Sequence, residues 1–214
     1  PAHAPEFSRV FAARTCMMAG VGLTGVFLWY LVRFWVYGKA VVLTSAPLTI
    51  PAGFLIAGMA VATLIGAALA SWAAGPISER IEEKNIPVAR VVAGACLLYA
   101  IGLGLAWGLG VWSTGTAREN GMLLFALISG FAFGVYDSLG LELVMDSLPD
   151  PRRAGHDLGI YALANSAGLA LAAIIGALLV NAFEHSFGYY LLFPSAIVMV
   201  LLAGIVTLTT KSAE

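Results

Sequence analysis

Six apolar stretches, each about 20 residues or longer, divide the chain, and each is long enough as a helix to cross ~30 Å of hydrocarbon. They cover roughly residues 11–36, 52–74, 88–112, 122–145, 158–183 and 189–209. The segments between them, 45–51, 75–87, 113–121, 146–157 and 184–188, collect the prolines, charges and turn residues. Lipid offers the backbone no hydrogen-bond partner, so each stretch must pair its own N–H and C=O groups, and the fold class is all-α: a polytopic membrane helix bundle. A transmembrane β-barrel needs ~10-residue segments of alternating polarity, which these Ala-, Gly- and Leu-rich runs lack.

Composition narrows the partners. Of the 214 residues 60% are hydrophobic and 11% charged, where a soluble domain carries about 25% charged residues. The net charge of −1 leaves no basic surplus, so a nucleic-acid partner is excluded and the lipid bilayer is the expected one. Cys16 and Cys96 each sit inside an apolar stretch, which fits neither a disulfide framework nor a thiolate metal site. There is no H-E-x-x-H, no G-x-S-x-G elbow and no Gly-rich phosphate loop with a lysine. The expectation is therefore no enzyme, no catalytic residue, no metal and no cofactor.

Lys and Arg in short loops are retained in the cytoplasm. Arg9, Arg14, Arg80, Lys84, Arg90, Arg152, Arg153 and Lys211 fall on the side of the termini, against Arg33, Lys39 and Arg118 on the other. Both termini are thus expected in the cytoplasm. The six spans split into two triplets, each with a charged second connection, and an odd number of spans forces the second triplet to enter from the opposite side. That is the 3+3 inverted repeat of secondary transporters.

Polar groups inside the spans are few. Asp137 lies in the fourth span on the face of Gly130, Gly134 and Leu141, and an ionisable group there carries an insertion cost of ~2.5–3.5 kcal/mol unless it meets a cavity or a partner. It is either a proton or substrate ligand or an end-of-span carboxylate that pairs with Arg14. Arg14, about two turns into the first span, meets a substrate carboxylate or Asp137, or snorkels to the headgroups. Asn165, one turn after Tyr161, offers hydrogen bonds to a hydroxylated ligand or to a neighbouring helix. Trp29, Tyr30, Phe34 and Trp35 form either a stacking surface for ligand or an interfacial belt. Glu142 and Asp146, four apart, form either a carboxylate pair with one raised pKa or a headgroup-level cap to the span. Small residues four apart, Gly104 and Gly108, Gly130 and Gly134, Gly155 and Gly159, Ala172 and Gly176, mark helix faces for close packing.

Two longer patterns carry a resemblance. Gly75-Pro76-Ile77-Ser78-Glu79-Arg80-Ile81-Glu82-Glu83-Lys84 resembles the G-x-x-x-D-R-x-G-R-R signature of the major facilitator superfamily, in its looser form between the eighth and ninth helices. Gly75, Ser78, Arg80 and Lys84 match, Glu79 replaces Asp, and Glu82 and Glu83 replace Gly and a basic residue. Phe133-Gly134-Val135-Tyr136, then Leu148-Pro149, Ala154-Gly155-His156-Asp157-Leu158-Gly159 and Ala164-Asn165 resemble the tenth helix, cytoplasmic loop and eleventh helix of bacterial members near the sugar carriers. Residues 7–36 are similar to the family's seventh helix.

The resemblance implies that residues 1–214 form one six-helix transmembrane domain, the C-terminal half of a twelve-helix carrier in a bacterial inner membrane. The other six-helix bundle is then expected as an absent N-terminal half or as another chain. It further implies a secondary transporter moving a small-molecule substrate by alternating access, with the proton as candidate coupling ion. Asp137, Tyr136, Asn165, Tyr161, Tyr30 and Arg14 are expected at the central cavity, with Gly75, Glu79 and Arg80 as a gate. The competing expectation is a non-transporting membrane subunit or assembly factor that binds a larger complex.

Overall fold

A computed structural model describes residues 4–37, 49–112, 115–146, 154–183 and 185–210. Pro47, Lys39, the Leu148-Pro149 pair, Arg152 and Arg153 lie outside the described residues. The chain runs α1 (Ala4–Gly25), α2 (Leu28–Leu31), a π-helical turn (Val32–Val36), α3 (Thr49–Lys84), α4 (Val88–Trp112), α5 (Thr116–Asp146), α6 (Ala154–Ala182) and α7 (His185–Leu208). Among the described residues, five of the seven α-helices, α3 to α7, are long and apolar enough to cross a membrane.

The expected first span, residues 11–36, is divided. Its first helix starts early, at Ala4, among charged residues and ends at Gly25. The Thr24 hydroxyl donates back to the Val21 carbonyl at 3.1 Å, and the Phe27 ring fits against the bare backbone of Gly176 on α6. The chain turns there and resumes as α2. The π-helical turn that follows carries a Tyr37 N–H to Val32 carbonyl bond of 3.3 Å.

The expected connection over residues 75–87 also shrinks. Helix α3 runs through Pro76 to Lys84, 36 residues in all and roughly 54 Å at 1.5 Å per residue, so its charged end projects well past a hydrocarbon layer. It closes with two backbone bonds, Asn85 N–H to Glu82 carbonyl at 3.2 Å and Ile86 N–H to Ile81 carbonyl at 3.0 Å. Asn85 takes φ 52°, the left-handed closing conformation that Gly or Asn supplies. The remaining connection is a short turn into α4.

In packing, α1 lies against α6 and α7, α3 against α5, and α4 against α5 and α7. Where α3 meets α5, Gly66 faces the Leu127 and Gly130 backbone, Gly130 faces the Thr63 backbone, and Gly134 faces Ala67 and Ala70. Where α1 meets α6, Gly168 faces Thr15 and Ala19. Backbones approach closely at both contacts, as small residues permit in lipid. Of the four small-residue pairs, Gly130 with Gly134 packs in this way, Ala172 faces Gly22 and Gly176 takes the Phe27 ring, while Gly104, Gly155 and Gly159 face open space.

The main core runs along the bundle and includes Met17, Leu23, Tyr99, Leu103, Phe193 and Val200. A smaller cluster of Val10, Ala89, Leu143 and Val144, with Leu158 and Tyr161 packed on it, gathers the start of α1, α4 and α6 and the finish of α5 at one end. Arg9 Nη1 donates to the Thr209 carbonyl at 3.0 Å and brings the finish of α7 to the same end.

Candidate functional site

Helical spacing prepares the site before any packing occurs. Phe133, Tyr136 and Asp137 stand at i, i+3 and i+4 on α5, and Tyr161 and Asn165 at i and i+4 on α6, so each set shares one helix face. The packing of α1 against α6, and its approach to α5, then puts Arg14 between the two faces.

Arg14 Nη1 pairs with Asp137 Oδ1 at 2.7 Å. Arg14 Nε donates to Asn165 Oδ1 at 2.8 Å. The guanidinium carbon lies 5.6 Å from the ring centroids of both Phe133 and Tyr136 and 5.7 Å from that of Tyr161. Each such contact contributes ~0.5–2 kcal/mol, more when water is excluded. The Phe133 and Tyr136 rings are themselves stacked, with centroids 6.3 Å apart.

The pair is lopsided: the Arg14 side chain is 9% exposed and that of Asp137 56%. Arg14 therefore does not snorkel. Its charge is held inside the bundle by one carboxylate, one amide oxygen and three rings, and the carboxylate is the member left open.

Asp137 opens onto a cavity of about 390 Å³ bounded by α1, α3, α4 and α5. Gly130 and Gly134 line it together with Phe133 and Asp137, so the shared α5 face read from the sequence is a cavity wall. Thr63 and Ser71 of α3, Tyr99 of α4 and Ser129 and Ser138 of α5 complete its polar lining.

Of the six residues expected at the cavity, Arg14, Tyr136, Asp137, Tyr161 and Asn165 form one cluster, and of these Asp137 alone lines the cavity just described. Tyr30 does not join them. It lies on α2, beyond the break in the first span, and stacks on Tyr189 with centroids 6.0 Å apart and planes at 14°. Gly75, Glu79 and Arg80 sit on the projecting part of α3, exposed, and among the described residues no ion pair joins Glu79 or Arg80 to another helix.

Phe133 is the residue that sequence reasoning missed. It was visible as the first member of F-G-x-Y, and its position one turn before Asp137 was the available signal. The cavity hydroxyls gave no signal, because an isolated Ser or Thr in a span bonds its own helix and looks neutral.

At the opposite end of the bundle, Tyr37 bonds to Glu119 near the start of α5. Burial pushes the Tyr37 phenol above its ordinary value, and the neighbouring Glu119 carboxylate adds to the rise. Among the described residues no three His, Cys, Asp or Glu side chains gather as metal ligands.

Long apolar helices closing around a buried arginine and its carboxylate define a polytopic membrane protein with a charged centre inside its spans. The chain belongs to the Major Facilitator Superfamily, whose family model matches residues 52–214, and so to a class of membrane transporters. No curated protein and no solved structure matches it.

Proposed function

We propose that this chain is one six-helix half of a secondary transporter that moves a small molecule by alternating access, with proton coupling through Asp137. The carrying observation is the Arg14–Asp137 pair, joined to Asn165, where α1, α5 and α6 converge. A charge pair of this kind is costly within a membrane unless it faces a cavity or a pathway, and Asp137 does face one. Protonating Asp137, or engaging it with a ligand, weakens its hold on Arg14. The contact between α1 and α5 then changes strength, and that difference between states is what biases an access equilibrium.

The helix contacts support a 3+3 inverted repeat. Exchanging α1 with α5, α3 with α6 and α4 with α7 turns the α1–α6 contact into the α5–α3 contact, and α1–α7 into α5–α4. A second six-helix bundle, from the same polypeptide or another, is the proposed partner. In α3 and α6 only 22% of the apolar window is buried, the lowest share among the five long helices, which leaves surface for such a bundle. The basic-residue bias supports cytoplasmic termini, and a bacterial inner membrane is the proposed location. In that orientation the exposed Glu79 and Arg80 act at the cytoplasmic gate, with Gly75 on the same projecting helix. The segment from Phe133 to Asn165 supports descent near the sugar-carrier branch; the substrate is a matter for the cavity.

The test is counterflow of candidate solutes in proteoliposomes holding the intact protein with any companion bundle. Asp137→Asn is expected to abolish proton-driven uptake while exchange is less affected. Uptake indifferent to Asp137→Asn, or a chain that copurifies only with an unrelated complex, overturns the reading in favour of an assembly role.

A further inference from the structure

The cavity beside Asp137 has a polarity of its own. Its approachable charge is negative, because the guanidinium is 9% exposed and committed to Asp137, Asn165 and three rings, while the carboxylate is 56% exposed. Its hydroxyls have already used their protons. Thr63 donates to the Met59 carbonyl at 2.9 Å and Ser71 to Ala67 at 3.1 Å. Ser129 donates to Ala126 at 3.0 Å and Ser138 to Gly134 at 2.9 Å. A hydroxyl has one proton and two lone pairs, so each of these presents lone pairs only. Tyr99 bonds to Thr24, whose own proton goes to the Val21 carbonyl at 3.1 Å, so the Tyr99 proton is the one shared.

The cavity is thus a set of acceptors around one carboxylate, on walls that are otherwise apolar. An anion entering it meets a like charge. A neutral polyol can donate to these oxygens, yet its own acceptors gain no donor from this lining and it brings no charge to Asp137. An ammonium group has three donors and no acceptor. Its three donors match the Asp137, Ser71 and Ser138 oxygens, which the α3–α5 register puts at one level, and an apolar body fits the walls.

We propose that this cavity binds an organic ammonium with an apolar body, with Asp137 as the counter-charge, the Ser71 and Ser138 oxygens at its level as acceptors, and the stretch toward Thr63 and Ser129 taking the apolar body. The proposal rests on the transporter reading given above and names its substrate class.

The experiment measures equilibrium binding to the intact protein in detergent of four probes: phenethylammonium, the neutral phenethyl alcohol, the anionic phenylpropionate and a neutral disaccharide. Phenethylammonium is expected to bind at least about tenfold more tightly than the others, and Asp137→Asn to erase that preference. Should Asp137→Asn fail to fold, the Ser71→Ala, Ser138→Ala double variant keeps the ion pair and is expected to weaken phenethylammonium several-fold at unchanged thermal midpoint. Tighter binding of the disaccharide or of phenylpropionate overturns the proposal, as does ammonium binding indifferent to the variants. If one of those other probes is then taken up by proteoliposomes in an Asp137-dependent way, the transporter reading survives and only the substrate class falls. If no probe binds and none is taken up, both fall.

Discussion

Arg14 and Asn165 are 151 residues apart along the chain, and their side chains meet at 2.8 Å. The bond uses Nε, the nitrogen within the arginine stem, so the amide fixes the plane of the guanidinium and leaves Nη1 aimed at Asp137. A third helix is thereby tied to the first two through one side chain.

That geometry separates charge from shape. Arg14→Lys keeps a cation for Asp137 but has no Nε and no flat surface for the rings. Thermal unfolding in detergent is expected to show a loss of about 1–3 kcal/mol. In a double-mutant cycle with Asn165→Leu, the two losses should fall short of additivity by about 1 kcal/mol, since both remove the same bond. Full additivity would mean that Asn165 does not orient Arg14.

Gly130 should tolerate no side chain. A Cβ there would meet the Thr63 backbone, and backbone cannot rotate aside. Gly130→Val is expected to part α3 from α5 at a cost of about 1–3 kcal/mol. Gly104→Ala, facing open space on α4, is the control and should stabilise by a few tenths to about 1 kcal/mol through helix propensity. Differential scanning of the two variants side by side checks both signs.

The left-handed Asn85 gives a test at the end of the projecting helix. Asn85→Gly should leave the thermal midpoint unchanged or raise it, whereas Asn85→Val should lower stability by roughly 1–2 kcal/mol, because a β-branched residue resists φ 52°. Equal effects would refute the closing role assigned to the residue.

Tyr37 makes stability sensitive to alkali. Its folded-state pKa lies above its unfolded value of 10.0, so the unfolded chain releases the proton first. The neutral phenol's contribution is whole below that unfolded value and disappears as the pH climbs through the folded one. Tyr37→Phe should flatten the decline of the thermal midpoint in that alkaline window. A decline as steep in the variant as in the parent assigns it to other groups.

How much of this was open to a reader of the sequence follows from the range of each interaction. Phe133 with Asp137 and Tyr161 with Asn165 were open to reading, because helical periodicity puts residues four apart on one face. Arg14 was named with two partners and a third possibility, the headgroups; choosing among them required the packing of α1 on α6, which no local pattern encodes. Tyr30 was grouped with the cavity residues because it belongs to the same apolar run, yet the run is not one helix. Nothing but Gly25 marks the break, and the Phe27 ring that follows it is seated on Gly176, far along the chain. The reverse error occurred at Gly75-Pro76, where two strong local breakers suggested a loop. Proline removes one N–H and one bond, and a helix already established on both sides runs through it.

The lopsided ion pair also sets an electrical property. With Arg14 and Asp137 both charged, the centre is neutral, and a membrane voltage exerts no net force on its movement. An added proton or a bound ammonium makes the same centre net positive, and a unit charge crossing the full membrane potential gains or loses ~2.3 kcal/mol per 100 mV. Under the alternating access proposed above, half of the cycle would then be blind to voltage and the other half driven by it. A carrier built on this centre conducts current only when loaded.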